Sequence, residues 1–166
     1  MLSRSTILGF SALILLIFTV AVPLNAFFSV FPSMTYDIHK AQAEIGKAEA
    51  TNDLRLVAAY MQNALGNVDH FAGNPGWWYP TVETDWGRIK DAVRSIISQA
   101  GSMNEPETSY AYQQMVHNLG DHQLPELHSQ LDSIESIMTA GALSSVLWLI
   151  AIVISWIALF VLYLFS

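Results

Sequence analysis

Both ends of the chain are apolar, and only its middle carries charge. Residues 5–36 and 136–166 contain no Asp, Glu, Lys, Arg or His. Within these ends, 7–30 and 142–165 each supply the run of about 20 mainly apolar residues that a helix needs to cross a hydrocarbon core. The pattern therefore predicts two transmembrane helices with an aqueous domain between them.

The middle of the chain predicts helices. Its apolar residues recur three and four positions apart, most clearly over 54–68, which is the period of an amphipathic α-helix. No segment there alternates apolar and polar residues as a half-buried strand would. The same spacing continues from Leu124 past Met138, with Pro125 in the first turn, where a helix accepts proline, and no further breaker before Gly141. The last helix of the middle domain is therefore expected to run into the second span.

Capping and helix-breaking residues predict where the helices end. If the chain turns at Thr51, the helices lie near 34–50, 53–72, 84–101 and 107–140. If it does not, one long helix covers 34–72 and a break near Gly120 supplies the fourth. A chain that leaves the membrane and returns needs an even number of full-length helices. The predicted fold class is an all-α membrane protein, with two transmembrane helices flanking an extramembrane antiparallel four-helix bundle.

These elements divide the chain into three predicted parts. Residues 1–31 form an N-terminal transmembrane helix with a short tail, 32–140 an acidic helical bundle with an aromatic loop at 72–83, and 141–166 a C-terminal transmembrane helix. Arg4 precedes the first span, so the positive-inside rule places both termini in the cytoplasm and the bundle outside. We expect a cell-membrane protein with two spans, the first an uncleaved anchor rather than a signal peptide.

The charge balance and the missing motifs exclude several functions. Between Asp37 and Glu135 lie fourteen acidic and six basic residues, which gives this region a net charge of −8 with neutral histidines. Such a domain repels nucleic acid. The chain has no cysteine, so it has no disulfide or thiolate chemistry. The nucleophile-elbow, phosphate-loop and dinucleotide-binding motifs are missing as well. We expect neither an enzyme nor a cofactor.

The second span carries a stripe of small residues on one helical face, interrupted by one tryptophan. This stripe, called the small-residue stripe below, consists of Ser144, Trp148, Ala151, Ser155 and Ala158. Small side chains let two helix backbones approach closely in lipid. Either the two spans of this chain pair with each other, or the stripe contacts another subunit. Neither span contains a charged residue, which argues against transport or channel activity.

The aromatic loop is the second candidate contact surface. Trp77, Trp78 and Tyr79 are consecutive, and three large rings in a row do not all fit one core. They could dock a partner, since Trp and Tyr are frequent at interface hot spots. They could also cage a cationic ligand, or simply cover one end of the bundle.

The histidines offer weaker candidates. In one unbroken helix His117, Asp121 and His128 would share a face and could bind zinc or copper. The apolar face changes phase between Leu119 and Leu127, however, so we favour a solvated polar face and expect no metal. His70, beside the aromatic loop, is a candidate pH switch because histidine titrates near neutral pH.

The predicted topology resembles the extracytoplasmic four-helix input domains of bacterial and archaeal chemoreceptors and sensor kinases. Those domains also lie between a first span that enters a helix and a last helix that enters a second span. Because the sequence ends at Ser166 without an output module, we favour a non-catalytic accessory or assembly subunit. Its expected partners are integral membrane subunits and the lipid bilayer, with a homo-oligomer also possible. The alternative is a sensor-like module that binds a small ligand and signals through a membrane partner. A metal-binding periplasmic protein is a third class.

Overall fold

The computed structural model describes residues 31–75 and 81–165, together with Thr19. Within these residues every regular element is a helix and none is a strand, which confirms the all-helical prediction. Apart from Thr19, the first predicted span lies outside the described part, and so do the aromatic residues at positions 77–79. The helices are α1 (Phe31–Glu49), α2 (Leu54–Val68), α3 (Trp86–Ser102), α4 (Tyr110–Asn118) and α5 (Leu124–Phe165), with a π-helical turn at Leu119–Gln123.

The chain turns at Thr51, the first of the two predicted alternatives. Residues 51–53 are not helical, and the Asp53 side chain caps α2 by accepting a hydrogen bond from the N–H of Arg55 at 2.8 Å. Tyr112 of α4 secures the same connection. Its hydroxyl accepts from the N–H of Leu54 at 3.0 Å and donates to the carbonyl of Asn52 at 3.2 Å.

At Gly120 the helix continues through a π-helical turn instead of breaking. Leu119 and Leu124 are both buried, although they stand five positions apart. An α-helix repeats its face after three or four residues, so a spacing of five would expose one of these leucines. The N–H of Leu124 bonds to the carbonyl of Leu119, and this wider turn returns Leu124 to the buried face. The phase change noted in the sequence is therefore absorbed within a continuous helix.

Met34–Met138 form one compact unit with a single apolar core. Every helix in this unit contributes to the core through the face that the three-four spacing predicts. Burying a large apolar side chain stabilises a fold by roughly 1.5–3 kcal/mol. The largest fully buried side chains are Trp86, Ile38, Ile45, Leu54, Met61, Ile89, Ile96, Leu119, Leu124, Leu127, Leu131 and Ile134.

Polar contacts between α1 and α5 run in opposite order along the two helices. His39 pairs with Glu135 at 2.7 Å, and Gln42 donates to Asp132 at 2.7 Å. Further along α1, Glu49 meets His128 at 3.4 Å. The α5 partner moves towards the start of its helix as the α1 residue moves towards its end. The two helices therefore pack antiparallel within this unit.

The helix that leaves the core is strongly apolar. As the spacing predicts, the last helix of the middle domain continues into the apolar C-terminal segment, because α5 is continuous from Leu124 to Phe165. That this segment spans a membrane stays a prediction. From Thr139 onward it belongs to a second unit. By length and composition, Tyr110–Ala158 is the one helical stretch in the described part that could cross a membrane.

Candidate functional site

The small-residue stripe of α5 is exposed along its whole length. All five of its side chains are exposed, and Trp148 is 70% exposed. Leu149 lies about 140° around the helix from Ser144, at about 100° per residue. It is only 8% exposed, so a different face of α5 is the covered one. Within the described part of the chain, no other element covers the stripe.

The serine hydroxyls of this region bond to their own helix. Ser155 donates to the carbonyl of Ala151 at 2.8 Å, and Ser144 donates to Gly141 at 3.3 Å. Ser145, which is not part of the stripe, also donates to Gly141, at 2.9 Å. Such bonds satisfy a hydroxyl in an apolar environment. The stripe is therefore suited to close packing of two helix backbones rather than to hydrogen bonds with a neighbouring helix.

The base of the aromatic loop is a well-defined structure. The rings of Phe71 and Trp86 stack with centroids 4.6 Å apart, and both side chains are buried. Gly73 has a φ of 75°, a left-handed conformation that favours glycine, and its carbonyl accepts the N–H of Trp86 at 3.1 Å. The two ends of the loop are therefore held side by side. Trp77, Trp78 and Tyr79, between these ends, are not among the described residues.

The side chains of Asn74 and Thr84 form further hydrogen bonds at the same base. Asn74 donates to the carbonyl of Thr81 at 2.7 Å, and the Thr84 hydroxyl donates to the Asn74 side-chain oxygen at 2.8 Å. Thr84 is buried and acts in this loop. The sequence suggests Thr84 as the cap of the next helix, but Asp85 is the N-cap of α3 and accepts from the N–H of Arg88 at 3.2 Å. Two adjacent cap-forming residues made this choice ambiguous.

His70 lies beside the loop base and has a carboxylate near it. Its Nε2 atom is 3.5 Å from Asp37 of α1, and its ring is 4.1 Å from that of Phe71. On the α3 side, Lys90 donates to the carbonyls of Asp69 and Phe71 at 3.1 and 2.9 Å. Lys90 thus satisfies carbonyl groups just beyond the end of α2. The predicted pH switch at His70 stays a prediction.

The three candidate metal ligands do not converge. His117 pairs with Asp121 at 2.7 Å, whereas His128 faces Glu49. The extra residue of the π turn rotates His128 by about 100° away from the face it would share in an unbroken α-helix. In the described part of the chain no group of three His, Asp or Glu side chains could hold a metal ion.

A cleft of about 310 Å³ opens where the α1–α2 connection meets the π turn. We call it the π-turn cleft. Sequence reasoning missed it, because the five-residue spacing from Leu119 to Leu124 concerns only the π turn and does not relate this turn to the α1–α2 connection. Its lining residues are Ala48, Glu49, Thr51, Asn52, Leu54, Val57, Gln113, Val116, His117, Leu119, Gly120, Asp121 and Leu124.

One surface ion pair of α1 changes the titration of its members. Lys47 hydrogen-bonds to Glu44, and this bond lowers the pKa of Glu44, helped by a second hydrogen bond from Asn63 of α2 at 3.3 Å. The same Lys47–Glu44 bond raises the pKa of Lys47. Both shifts favour the charged forms, so near neutral pH this ion pair contributes to the stability of α1.

Comparison with known proteins gives no relative. A scan against protein-family models, a search of curated proteins and a search of solved structures each return no match.

Proposed function

We propose that the chain is a non-catalytic accessory or assembly subunit of a larger membrane complex. One observation carries the proposal: the small-residue stripe is exposed on an apolar helix long enough to cross a membrane. In lipid, close packing of small residues is what brings helices together. The stripe would be the face on which α5 meets a helix of a partner subunit.

The arrangement of the rest of the chain follows from this role. The turn at Thr51 and the antiparallel order of α1 and α5 support a four-helix bundle with α2 and α3 as its other members. With the apolar N-terminal run as a second span, the chain would cross the membrane twice. Both termini would lie in the cytoplasm, and the acidic bundle would brace the complex outside the cell membrane.

The proposal predicts that the chain travels with other proteins. Extraction of native membranes in a mild detergent or in nanodiscs, followed by mass determination and identification of the bound chains, tests it directly. We expect a stoichiometric complex that contains at least one further integral membrane protein. A lone monomer or a homodimer under these conditions would disprove the accessory role.

A matched pair of serine variants tests the stripe itself. Ser155→Leu places a bulky side chain on the stripe and should reduce co-purification of the partner at least about tenfold, because helix packing depends on close approach. Ser145→Leu is the control. Ser145 makes the same kind of intrahelical bond but lies about 100° away from Ser144 around the helix. Equal loss in both variants would argue against a specific contact face.

The aromatic loop is proposed as a second contact. The stacked rings of Phe71 and Trp86 fix the base of the loop. We propose that Trp77, Trp78 and Tyr79, which follow this base, contact the partner. Replacing both Trp77 and Trp78 by Ala should weaken co-purification, since tryptophan truncation at interfaces often costs 2 kcal/mol or more, which is roughly 30-fold. Tyr110→Ala, an 82% exposed aromatic residue of α4, is the control and should have no effect. Unchanged association of the double variant, with helicity retained, would exclude the docking role.

A further inference from the structure

We propose that the π-turn cleft binds a small protonated aliphatic amine. This inference deepens the sensor-like alternative, in which the bundle binds a small ligand. It does not depend on the accessory-subunit role, because every lining residue lies within the Met34–Met138 unit. Four features of the cleft favour such a ligand: its size, its two kinds of lining, its charge and an acceptor left by the π turn.

The size and lining of the cleft suit a small organic molecule. Its volume of about 310 Å³ lies at the lower end of the range of ligand pockets, roughly 300–1,000 Å³. Val57, Leu119 and Leu124 are apolar and buried and form part of its wall. The polar residues Thr51, Asn52 and Gln113 also line it. An apolar wall beside hydrogen-bonding groups favours a ligand with a short alkyl chain and a polar head.

The charge of the cleft selects a cation. Glu49 and Asp121 line it, and no Lys or Arg is among the lining residues that the structure describes. The ionic partner of each carboxylate is a histidine: His117 is 2.7 Å from Asp121, and His128 is 3.4 Å from Glu49. A neutral imidazole can donate a hydrogen bond to a carboxylate but adds no positive charge. With neutral histidines the cleft therefore has a net negative charge that attracts a cation.

The π turn adds an unusual acceptor. In the π register the carbonyl of Gly120 would receive the N–H of residue 125, but that residue is Pro125, which has none. The preceding N–H, that of Leu124, bonds to the carbonyl of Leu119. Gly120 lines the cleft, and a Cβ built on it would meet no atom within 4 Å. The Gly120 carbonyl therefore lacks a helical donor, and Gly120 itself borders open space.

These features favour an organic ammonium over a metal ion. No three His, Asp or Glu side chains of the described chain are grouped closely enough for metal coordination. An alkylammonium group instead donates up to three hydrogen bonds in different directions. Its alkyl chain can contact the apolar wall while its charge interacts with the carboxylates.

Titration of the full-length chain in phosphatidylcholine nanodiscs with n-butylammonium chloride tests the proposal, with isothermal calorimetry as the measurement. n-Butanol is the uncharged reference ligand, and sodium chloride at the same ionic strength controls for screening. We expect saturable binding of butylammonium at pH 7.5, at least about tenfold tighter than that of n-butanol. A charge-assisted hydrogen bond contributes about 1.5–3 kcal/mol, which is at least tenfold in affinity.

Three carboxylate variants locate the site. Asp121→Asn and Glu49→Gln keep the side-chain shape and should each weaken butylammonium binding about tenfold. Asp91→Asn on α3 removes an exposed carboxylate paired with Arg94, outside the cleft lining, and should leave the affinity unchanged. Circular dichroism should show equal helicity in all variants. Absence of saturable binding, equal affinity for n-butanol, or equal loss in Asp91→Asn would each overturn the proposal, whether or not a partner subunit co-purifies.

Discussion

The two parts of α5 have similar apolar side chains and opposite exposure. Within the Met34–Met138 unit, Leu131 and Ile134 are 1% and 0% exposed. Beyond that unit, Leu143 and Ile154 on the same continuous helix are each 61% exposed. Apolar surface left in water is unfavourable in proportion to its area. The exposed side chains of this second part therefore require an apolar environment that the described part of the chain does not supply.

Truncating one isoleucine in each part of α5 should give the largest difference in the free energy of unfolding between the two environments. Ile134→Ala removes a fully buried side chain from the core and should lower the free energy of unfolding by about 2–5 kcal/mol. Ile154→Ala makes the same change where the side chain is exposed and should cost less than about 1 kcal/mol. Denaturant unfolding of the detergent-solubilised chain, followed by circular dichroism, measures both. Similar losses would show that Ile154 is as tightly packed as Ile134.

Two tyrosines at the start of α4 allow a similar comparison between a buried and an exposed hydroxyl group. Tyr112 is buried and bonds to the main chain at Asn52 and Leu54, whereas Tyr110 is 82% exposed. Tyr112→Phe leaves the N–H of Leu54 without its acceptor and should cost about 1–3 kcal/mol. Tyr110→Phe should change stability by less than about 0.5 kcal/mol. Thermal unfolding distinguishes them, and a neutral Tyr112→Phe would mean that water readily replaces the hydroxyl.

Local chemistry was sufficient to predict most of the helices. Ala48 and Leu54, both buried, are six positions apart, and the cap-forming residues between them made a turn at Thr51 one of the two predicted alternatives, the one that the structure shows. The π turn was not predicted. Gly120 and Pro125 are typical of a helix break, and five-residue spacing has no counterpart in α-helical periodicity. Only the packing of Leu119 and Leu124 against the same core shows that the helix continues.

The candidate sites depended more strongly on tertiary structure. Periodicity placed the small-residue stripe on one face of α5, but it could not tell whether that face or the face of Leu149 is covered. The π-turn cleft joins Glu49 and Asn52 to Gln113 and Asp121, which are more than 60 positions away in the sequence. No local pattern relates such distant residues. His117 and Asp121, by contrast, are four apart on one helix, and their contact could be expected from the sequence.

The smallest expected effect concerns the exposed surface of the compact unit, where the Glu44–Lys47 pair should make stability depend on pH. The lowered pKa of Glu44 means that its contribution is present above the ordinary glutamate value of 4.5 and is lost as the pH falls through the lower folded-state value. The raised pKa of Lys47 means that its contribution is present below 10.5 and is lost as the pH rises through the higher folded-state value. Lys47 is more than half exposed, so solvent and salt screen the pair and keep the effect small.

Comparing the wild-type chain with Lys47→Gln between pH 7 and pH 3 isolates this contribution. The difference in unfolding midpoint should be present at pH 7 and should vanish as Glu44 becomes protonated, because the variant has already lost the pair. Lys40→Gln is the control on the same helix, since the Lys40 ammonium lies 4.2 Å from the centre of the Tyr36 ring rather than beside a carboxylate. Its difference from the wild type should persist across the acid range, and a Lys47→Gln difference that also persists would contradict the assignment of the shift to this pair.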